Sequence, residues 1–139
     1  MKKFLSLVVA FACVVTVAGC SKADFVCTGK MNGAEGRVEG KLNGNQVTEL
    51  YMTSTSEAKS EKEAEQAASL VNGFSSLLES QGIEMKAKVS GKEVTTEMTI
   101  DVTKVAKSST AKSQVGFDLS KTTKDEVIKA IEEEGLTCK

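Results

Sequence analysis

Apolar and polar residues alternate along two neighbouring segments, 83–89 and 94–103, and this pattern constrains the fold more than any other in the chain. Apolar side chains occupy every second position from Ile83 to Val89, and after a turn at Ser90–Lys92 the alternation resumes at Val94 and runs to Thr103. Successive side chains of a strand point to opposite faces, so this period predicts two strands with one apolar and one polar face. An antiparallel sheet buried on one side accommodates such a hairpin.

Two earlier turns predict a three-stranded meander before this hairpin. Asn32-Gly33 is a two-residue hairpin signal, because both residues tolerate positive φ, and this turn pairs Cys27 with Val38. At the second turn we predict a three-residue loop over Asn43–Asn45, which pairs Val38 with Leu50 and keeps Leu50 on the apolar face. A two-residue loop would instead place Val38 opposite Glu49 and so mix the two faces.

A capping box at Ser60–Glu63 predicts the start of a long helix that ends near Gly82. Gly73 lies inside this helix and should weaken it by about 1 kcal/mol relative to alanine, and we expect it to pack closely against the sheet. The apolar stripe predicted to face the sheet comprises Ala64, Ala67, Ala68, Val71, Phe74 and Leu78, widened by Leu70 and Leu77.

The C-terminal part of the chain predicts a loop, a short helix and a last strand. Lys104–Gly116 is rich in Lys, Ser and Ala and favours a loop. Thr123–Glu126 is a second capping box, Gly135 ends the helix that follows, and Leu136–Cys138 is the predicted strand. The elements together predict an α+β fold, in which an antiparallel sheet (meander plus hairpin) packs against one long helix, with a short C-terminal helix and strand.

The N-terminal residues indicate export and lipid anchoring. Lys2-Lys3 precede an apolar run, Phe4–Val17, that is too short to span a bilayer comfortably. Val17–Cys20 resembles a bacterial lipobox, in which the cysteine is acylated with diacylglycerol and the preceding peptide bond is cut. The alternative is an ordinary secretory signal in which Cys20 is incidental. The predicted organisation is a signal peptide at 1–19, a lipidated tether at 20–24 and a single domain at 25–139.

Two cysteines remain in the domain, Cys27 and Cys138. In an exported protein such a pair predicts a disulfide, and closing a loop of about 110 residues is worth roughly 4–5 kcal/mol on the chain-entropy model. Two free buried thiols are the alternative. A metal site has less support, because the chain has no histidine and neither cysteine has a neighbouring one.

Charge and composition exclude several classes of partner. Cleavage before Cys20 leaves 120 of the 139 residues, enough for one modest core, and it changes the formal net charge from −1 to −3 because two lysines are removed. A mildly acidic chain offers no electrostatic basis for binding nucleic acid and no polybasic membrane patch. We therefore expect no nucleic acid partner, and membrane contact through the lipid anchor.

Candidate catalytic and metal-binding residues have simpler explanations. Histidine-based triads are excluded, because the chain has no histidine. Ser-x-x-Lys occurs at Ser56–Lys59 and Ser109–Lys112, but a chain rich in both residues contains such pairs by chance. A soft metal could use Met52, Met85 and Met98, yet all three fall on predicted core faces, where methionine is ordinary filler. We predict no enzymatic activity, no cofactor and no metal.

The polar face of the predicted sheet is the candidate surface for a partner. It combines one aromatic residue with several β-branched ones, although strand propensity alone would also place such residues there. Its members are Tyr51, Val47, Thr95, Thr99 and Thr103.

The whole arrangement resembles the YehR-like family of bacterial lipoproteins. The similar segments are the lipobox at Cys20, the start of the domain at Cys27-Thr28, Met98–Val105, and Gly135–Lys139 after a short helix. The resemblance covers nearly the whole chain and implies a small α+β lipoprotein. It transfers no catalytic residue, because the family has no established mechanism.

These observations lead to one functional expectation and one alternative. We expect a non-enzymatic, lipid-anchored protein facing outside the cytoplasm of a bacterium, which binds another protein of the cell envelope. Ser21 resembles the residue preferred for sorting to an outer membrane where the host has one. The alternative is a carrier or sensor of a small apolar ligand held between sheet and helix.

Overall fold

A computed structural model describes residues 23–31, 33–115 and 119–139, apart from the side chains of Lys112 and Gln114. The predicted signal peptide and the lipidation site at Cys20 lie outside the described residues. The strands are β1 Phe25–Met31, β2 Ala34–Asn43, β3 Gln46–Glu57, β4 Ile83–Ser90, β5 Glu93–Asp101 and β6 Leu136–Cys138. The helices are α1 Glu61–Glu79, α2 Val102–Val105, α3 Ser109–Val115 and α4 Lys124–Glu133.

The described strands form one antiparallel sheet in the order β4-β5-β3-β2-β1-β6. After β3 the chain forms α1 and then β4 at one edge of the sheet, and it returns as β5 between β4 and β3. The last strand, β6, forms the other edge. The long helix α1 packs along β4. The predicted α+β class is confirmed, with one long helix on an antiparallel sheet and a short helix and strand at the C-terminus.

The first hairpin has the predicted register. Met31 pairs with Ala34 across a two-residue turn, and Cys27 pairs with Val38. Gly33 adopts a φ of 83°, which a glycine tolerates without steric cost. The turn chemistry therefore determines the pairing of β1 with β2.

The second hairpin differs from the prediction. Asn43 pairs with Gln46 across a two-residue turn, and a β-bulge between Lys41 and Leu42 then shifts the register. The bulge leaves one extra residue on β3, which returns Leu50 to the buried face. The predicted three-residue loop was thus wrong. The predicted pairing of Val38 with Leu50 was wrong too, because Val38 pairs with Met52 and Leu50 with Gly40, but the predicted face of Leu50 is confirmed.

The main core lies between the apolar face of the sheet and the C-terminal segment, not under the centre of the long helix. From α1, Leu78 contacts this cluster as a partly buried residue. The largest fully buried side chains are Leu50, Ile83, Ile100 and Val38 from the strands, and Val102, Val105, Leu119, Val127 and Ile131 from the C-terminal segment. The segment after β5 therefore supplies about half of the largest fully buried side chains.

The chain after β5 is more ordered than the predicted loop. The strand ends at Asp101, whose carboxylate accepts a hydrogen bond from the Lys104 amide at 3.2 Å and so caps α2. Two short helices, α2 and α3, replace the predicted strand end and loop. Thr103 consequently lies in α2 and not on the polar face of β5, and this part of the prediction was wrong.

Phe25 and Gly40 form a close contact within the sheet. The Phe25 ring lies where a side chain at Gly40 would begin, so a Cβ at Gly40 would overlap the ring. Both residues are buried, and they are cross-strand partners. The site therefore requires glycine for space rather than for backbone conformation.

Candidate functional site

Helix α1 lies along the outer edge of β4 and bonds to its backbone through side chains. The Asn72 side chain donates to the Ala87 carbonyl at 3.2 Å and accepts from the Ala87 amide at 2.9 Å. Ser75 Oγ accepts from the Met85 amide at 3.3 Å. These bonds occupy edge groups of β4 that a further strand would otherwise use.

This placement at the sheet edge leaves α1 with a narrow buried stripe. Ala64 and Ala68 are buried, and Val71, Ser75 and Leu78 are partly buried. Two of the side chains that reach the edge of β4, Asn72 and Ser75, are polar. The sequence prediction of a wide apolar stripe against the sheet was wrong, because one helix at an edge covers less of its own surface than one lying across a face.

The large apolar residues of α1 that remain exposed form a row, which we call the α1 row: Leu70, Phe74 and Leu77. Their exposed fractions are 64%, 56% and 63%. The spacing of four and three residues places them on one side of the helix. Sequence reasoning missed this surface, although one signal was present: apolar residues surround more of α1 than a single contact can bury.

Gly73 lies beside the α1 row and packs against nothing. A Cβ built at this position would meet no atom within 4 Å outside its own helix. The expected close packing of Gly73 against the sheet was therefore wrong. Its lack of a side chain leaves the helix backbone accessible between Leu70 and Leu77.

The N-terminal turn of α1 is acidic and capped. The Glu63 amide donates to Ser60 Oγ at 3.2 Å, which confirms the predicted cap, and the Glu63 carboxylate accepts from the Lys59 amide at 3.3 Å. Glu61, Glu63 and Glu65 are all exposed. The carboxylates interact favourably with the positive end of the helix dipole, and together with the exposed Lys59 and Lys62 they give this end of α1 a formal net charge of −1.

The polar face of the sheet carries only part of the predicted partner surface. Tyr51 pairs with Thr99 across β3 and β5, and both are partly buried, as is Thr95. Val47 is only 2% exposed, so its assignment to this surface was wrong. The bulge places Val47 opposite Leu42, and its amide donates to the Thr122 carbonyl at 2.8 Å.

Ion pairs occupy much of the same polar face. Arg37 contacts Glu39 at 2.8 Å and Lys88 contacts Glu97 at 3.2 Å. Lys41 contacts Glu49 at 2.9 Å, and the hydrogen bond to Glu49 raises the pKa of Lys41, supported by the opposite charge. Because these charged side chains already pair with one another, this face is a weaker candidate for a binding surface than the α1 row.

Besides Lys41, Glu126 is the described residue whose pKa is shifted from its ordinary value. The Thr123 hydroxyl donates to its carboxylate at 2.8 Å, and this bond lowers the pKa of Glu126; Lys121 acts in the same direction, against a desolvation effect that raises it. Thr123 is the N-cap residue of α4, but its side chain makes no bond to the helix backbone. The second capping box therefore uses a side-chain pair.

The remaining chemical candidates are dispersed. Ser56, Lys59 and Ser109 are exposed. In the part of the chain that the structure describes, no buried residue is polar or charged, and no three His, Cys, Asp or Glu side chains are grouped as metal ligands. None of the described helices combines the length and apolar character needed to cross a membrane.

Cys27 and Cys138 form a disulfide, as predicted. They are direct partners in β1 and β6, and the neighbouring residues Val26 and Lys139 exchange backbone hydrogen bonds of 3.2 and 2.8 Å. Cys27 is fully buried. The bond therefore joins the first and last strands within the core.

Two solved structures are similar to this chain. The NMR structure of the E. coli YehR protein has a TM-score of 0.60 at 14% sequence identity, and the match covers 84% of this chain and 91% of that chain. An NMR structure of a protein from Streptococcus pneumoniae TIGR4 has a TM-score of 0.51 at 13% identity, covering 86% and 87%. No protein-family model and no curated protein sequence matches. The chain therefore has the YehR-like fold, as its sequence pattern predicts.

Proposed function

We propose that this protein is a non-enzymatic binding module, anchored by lipid at Cys20 to a bacterial membrane and facing outside the cytoplasm. We propose further that it binds another protein of the cell envelope through the α1 row. The leader sequence supports the location, and a disulfide suits an oxidising compartment. The exposed α1 row is the observation that carries the binding function.

The energetics of the α1 row favour protein binding. Covering the exposed part of each of these side chains is worth roughly 1–2 kcal/mol. Large apolar side chains clustered on one rigid helix are typical anchors of a helix-in-groove interface. In a protein with no partner such a row would be unfavourable, because exposed apolar surface promotes non-specific association.

Charge indicates the chemistry of the partner surface. Glu63 lies seven residues, about two helical turns, before Leu70 and so on the same side of α1 as the row, whereas Glu61 and Glu65 lie on other sides. A partner with an apolar groove and a basic rim would complement both features. The alternative of a small ligand between sheet and helix has less support, since Asn72 and Ser75 bond directly to the edge of β4.

Site-specific photocrosslinking in intact cells tests this proposal. Benzoylphenylalanine at Phe74 should yield one reproducible protein adduct. The same group at Ser69 should not, because Ser69 is exposed but lies on a different side of the helix. Leu70→Ser combined with Leu77→Ser should remove the adduct at position 74.

A third probe position separates the two candidate surfaces. An adduct formed from Tyr51 but absent from Phe74 would move the binding function to the polar face of the sheet. Identical adducts from Phe74 and Ser69 would contradict binding specifically through the α1 row, and the absence of an adduct at every position would contradict protein binding. Palmitate labelling lost in Cys20→Ser would support the anchor independently of the partner.

A further inference from the structure

The four methionines beyond the leader all lie on one face of the sheet. Met31 belongs to β1, Met52 to β3, Met98 to β5 and Met85 to β4. Met98 is the direct cross-strand partner of Met52 on one side and of Met85 on the other. We call these three the methionine row: Met52, Met98 and Met85. Three thioethers thus occupy adjacent positions on three neighbouring strands.

The strand geometry allows the three sulfur atoms to approach one another. The Met85 amide donates to Ser75 on α1, so it faces away from β5, and Met85 and Met98 form the closely spaced, non-hydrogen-bonded kind of pair. Neighbouring strands are about 4.8 Å apart, which separates the outer two Cα atoms by roughly 10 Å. Methionine is flexible and unbranched, so Met52 and Met85 can both lean towards Met98.

The methionine row lies at the margin of the core rather than inside it. Two residues along each strand, Leu50, Ile100 and Ile83 form the equivalent row and are fully buried. The three methionines contact the core but are only partly buried. The next row in the other direction holds the smaller side chains Ser54, Thr96 and Ala87. Each of the three methionines is therefore partly exposed rather than sealed in the core, although Val94, beyond the smaller residues, is again buried.

Thioether ligands select soft cations, of which Cu(I) is the biological example. The other soft ligands of the domain, Cys27 and Cys138, are joined in a disulfide, and the chain has no histidine. A thioether has no ionisable proton, so binding would not require deprotonation of a ligand. We propose that Met52, Met85 and Met98 form a binding site for a soft monovalent cation of the Cu(I) class, independent of partner binding by the α1 row.

Titration with Ag(I) in chloride-free buffer tests the site, using the anchored protein in detergent and methionines labelled with ¹³C in the methyl group. One equivalent of Ag(I) should shift the methyl signals of Met52, Met85 and Met98 more than that of Met31. Cu(I) kept reduced with ascorbate should compete for the same site. Cu(II), a harder cation, should produce no comparable shifts.

Met98→Leu removes the central ligand with little change in volume. It should weaken Ag(I) binding by at least about tenfold, a loss typical of damaged metal sites. Met31→Leu is the matched control, because Met31 lies on the same face but outside the row, and it should leave the Ag(I) affinity unchanged. If Met98→Leu fails to fold, Met52→Leu and Met85→Leu decide, each with an expected loss of affinity. Undetectable Ag(I) binding, or equal effects of the row variants and Met31→Leu, would overturn the proposal.

Discussion

The side-chain amide of Asn72 pairs with the backbone of Ala87 through both its donor and its acceptor, as a neighbouring strand would. This pairing places α1 beside the sheet edge and so determines which apolar residues of the helix remain exposed. Asn72→Ala should therefore accelerate hydrogen exchange of the Ala87 amide by about tenfold, since one hydrogen bond is worth roughly 1 kcal/mol. The amide of Lys86, which alternates towards β5, should keep its protection.

Global stability should change by less than about 1 kcal/mol in Asn72→Ala, because alanine is the better helix former. Light scattering should detect some self-association through the opened edge of β4. Ser69→Ala, on the exposed side of the same helix, is the control. Unchanged exchange at Ala87 would show that water replaces the Asn72 amide at no cost.

Gly40→Ala should destabilise the protein by about 1–3 kcal/mol, because the new Cβ would overlap the Phe25 ring and force both strands to shift. Urea unfolding measures this loss. Phe25→Leu in the Gly40→Ala background should recover part of it, and additive effects of the two substitutions would contradict the packing argument.

Gly73→Ala should have the opposite effect and stabilise the protein by about 1 kcal/mol, since the position is helical and a Cβ meets no neighbouring atom. Thermal unfolding at matched pH is the measurement. A lower Tm for Gly73→Ala would mean that Gly73 contacts another part of the protein. If the substitution also weakens the Phe74 crosslink, Gly73 itself lies in the interface.

Loss of the disulfide should lower the free energy of unfolding by about 2–5 kcal/mol, because Cys27 and Cys138 close a loop of 111 residues. Replacing both with alanine and measuring urea unfolding tests this value. Reducing the unaltered protein should produce a similar loss, whereas the double variant should not respond to the reductant. A stability loss below 1 kcal/mol would mean that backbone pairing alone retains β6.

Glu126 provides a pH-dependent prediction. Its pKa is lowered in the folded protein by the Thr123 hydroxyl, so its contribution to stability is present above the unfolded pKa near 4.3 and is lost as pH falls through the lower folded value. Glu126→Gln should therefore be less stable than the unaltered chain at pH 7, and this difference should shrink at pH 3.

The sequence by itself determined those elements whose interacting residues are near one another along the chain. The Asn32-Gly33 turn specified the β1–β2 register, the Ser60 cap specified the start of α1, and strict alternation specified the hairpin of β4 and β5. The expectation of export, together with an even number of cysteines in the domain, predicted the bond between Cys27 and Cys138 that the structure contains. Turn geometry, helix capping and the period of side chains along a strand all act over a few residues. For the disulfide, only two cysteines in the domain were available to pair.

Only the tertiary structure decided which apolar residues are buried and which meet across strands. Leu70 and Ala64 both belong to the apolar stripe predicted for α1, but the edge of β4 buries Ala64 and leaves Leu70 exposed. Met52, Met85 and Met98 become neighbours only because β5 pairs with both β3 and β4. Burial depends on the area that a neighbouring element can cover, and strand order depends on pairing between distant segments; neither quantity is encoded in a local pattern.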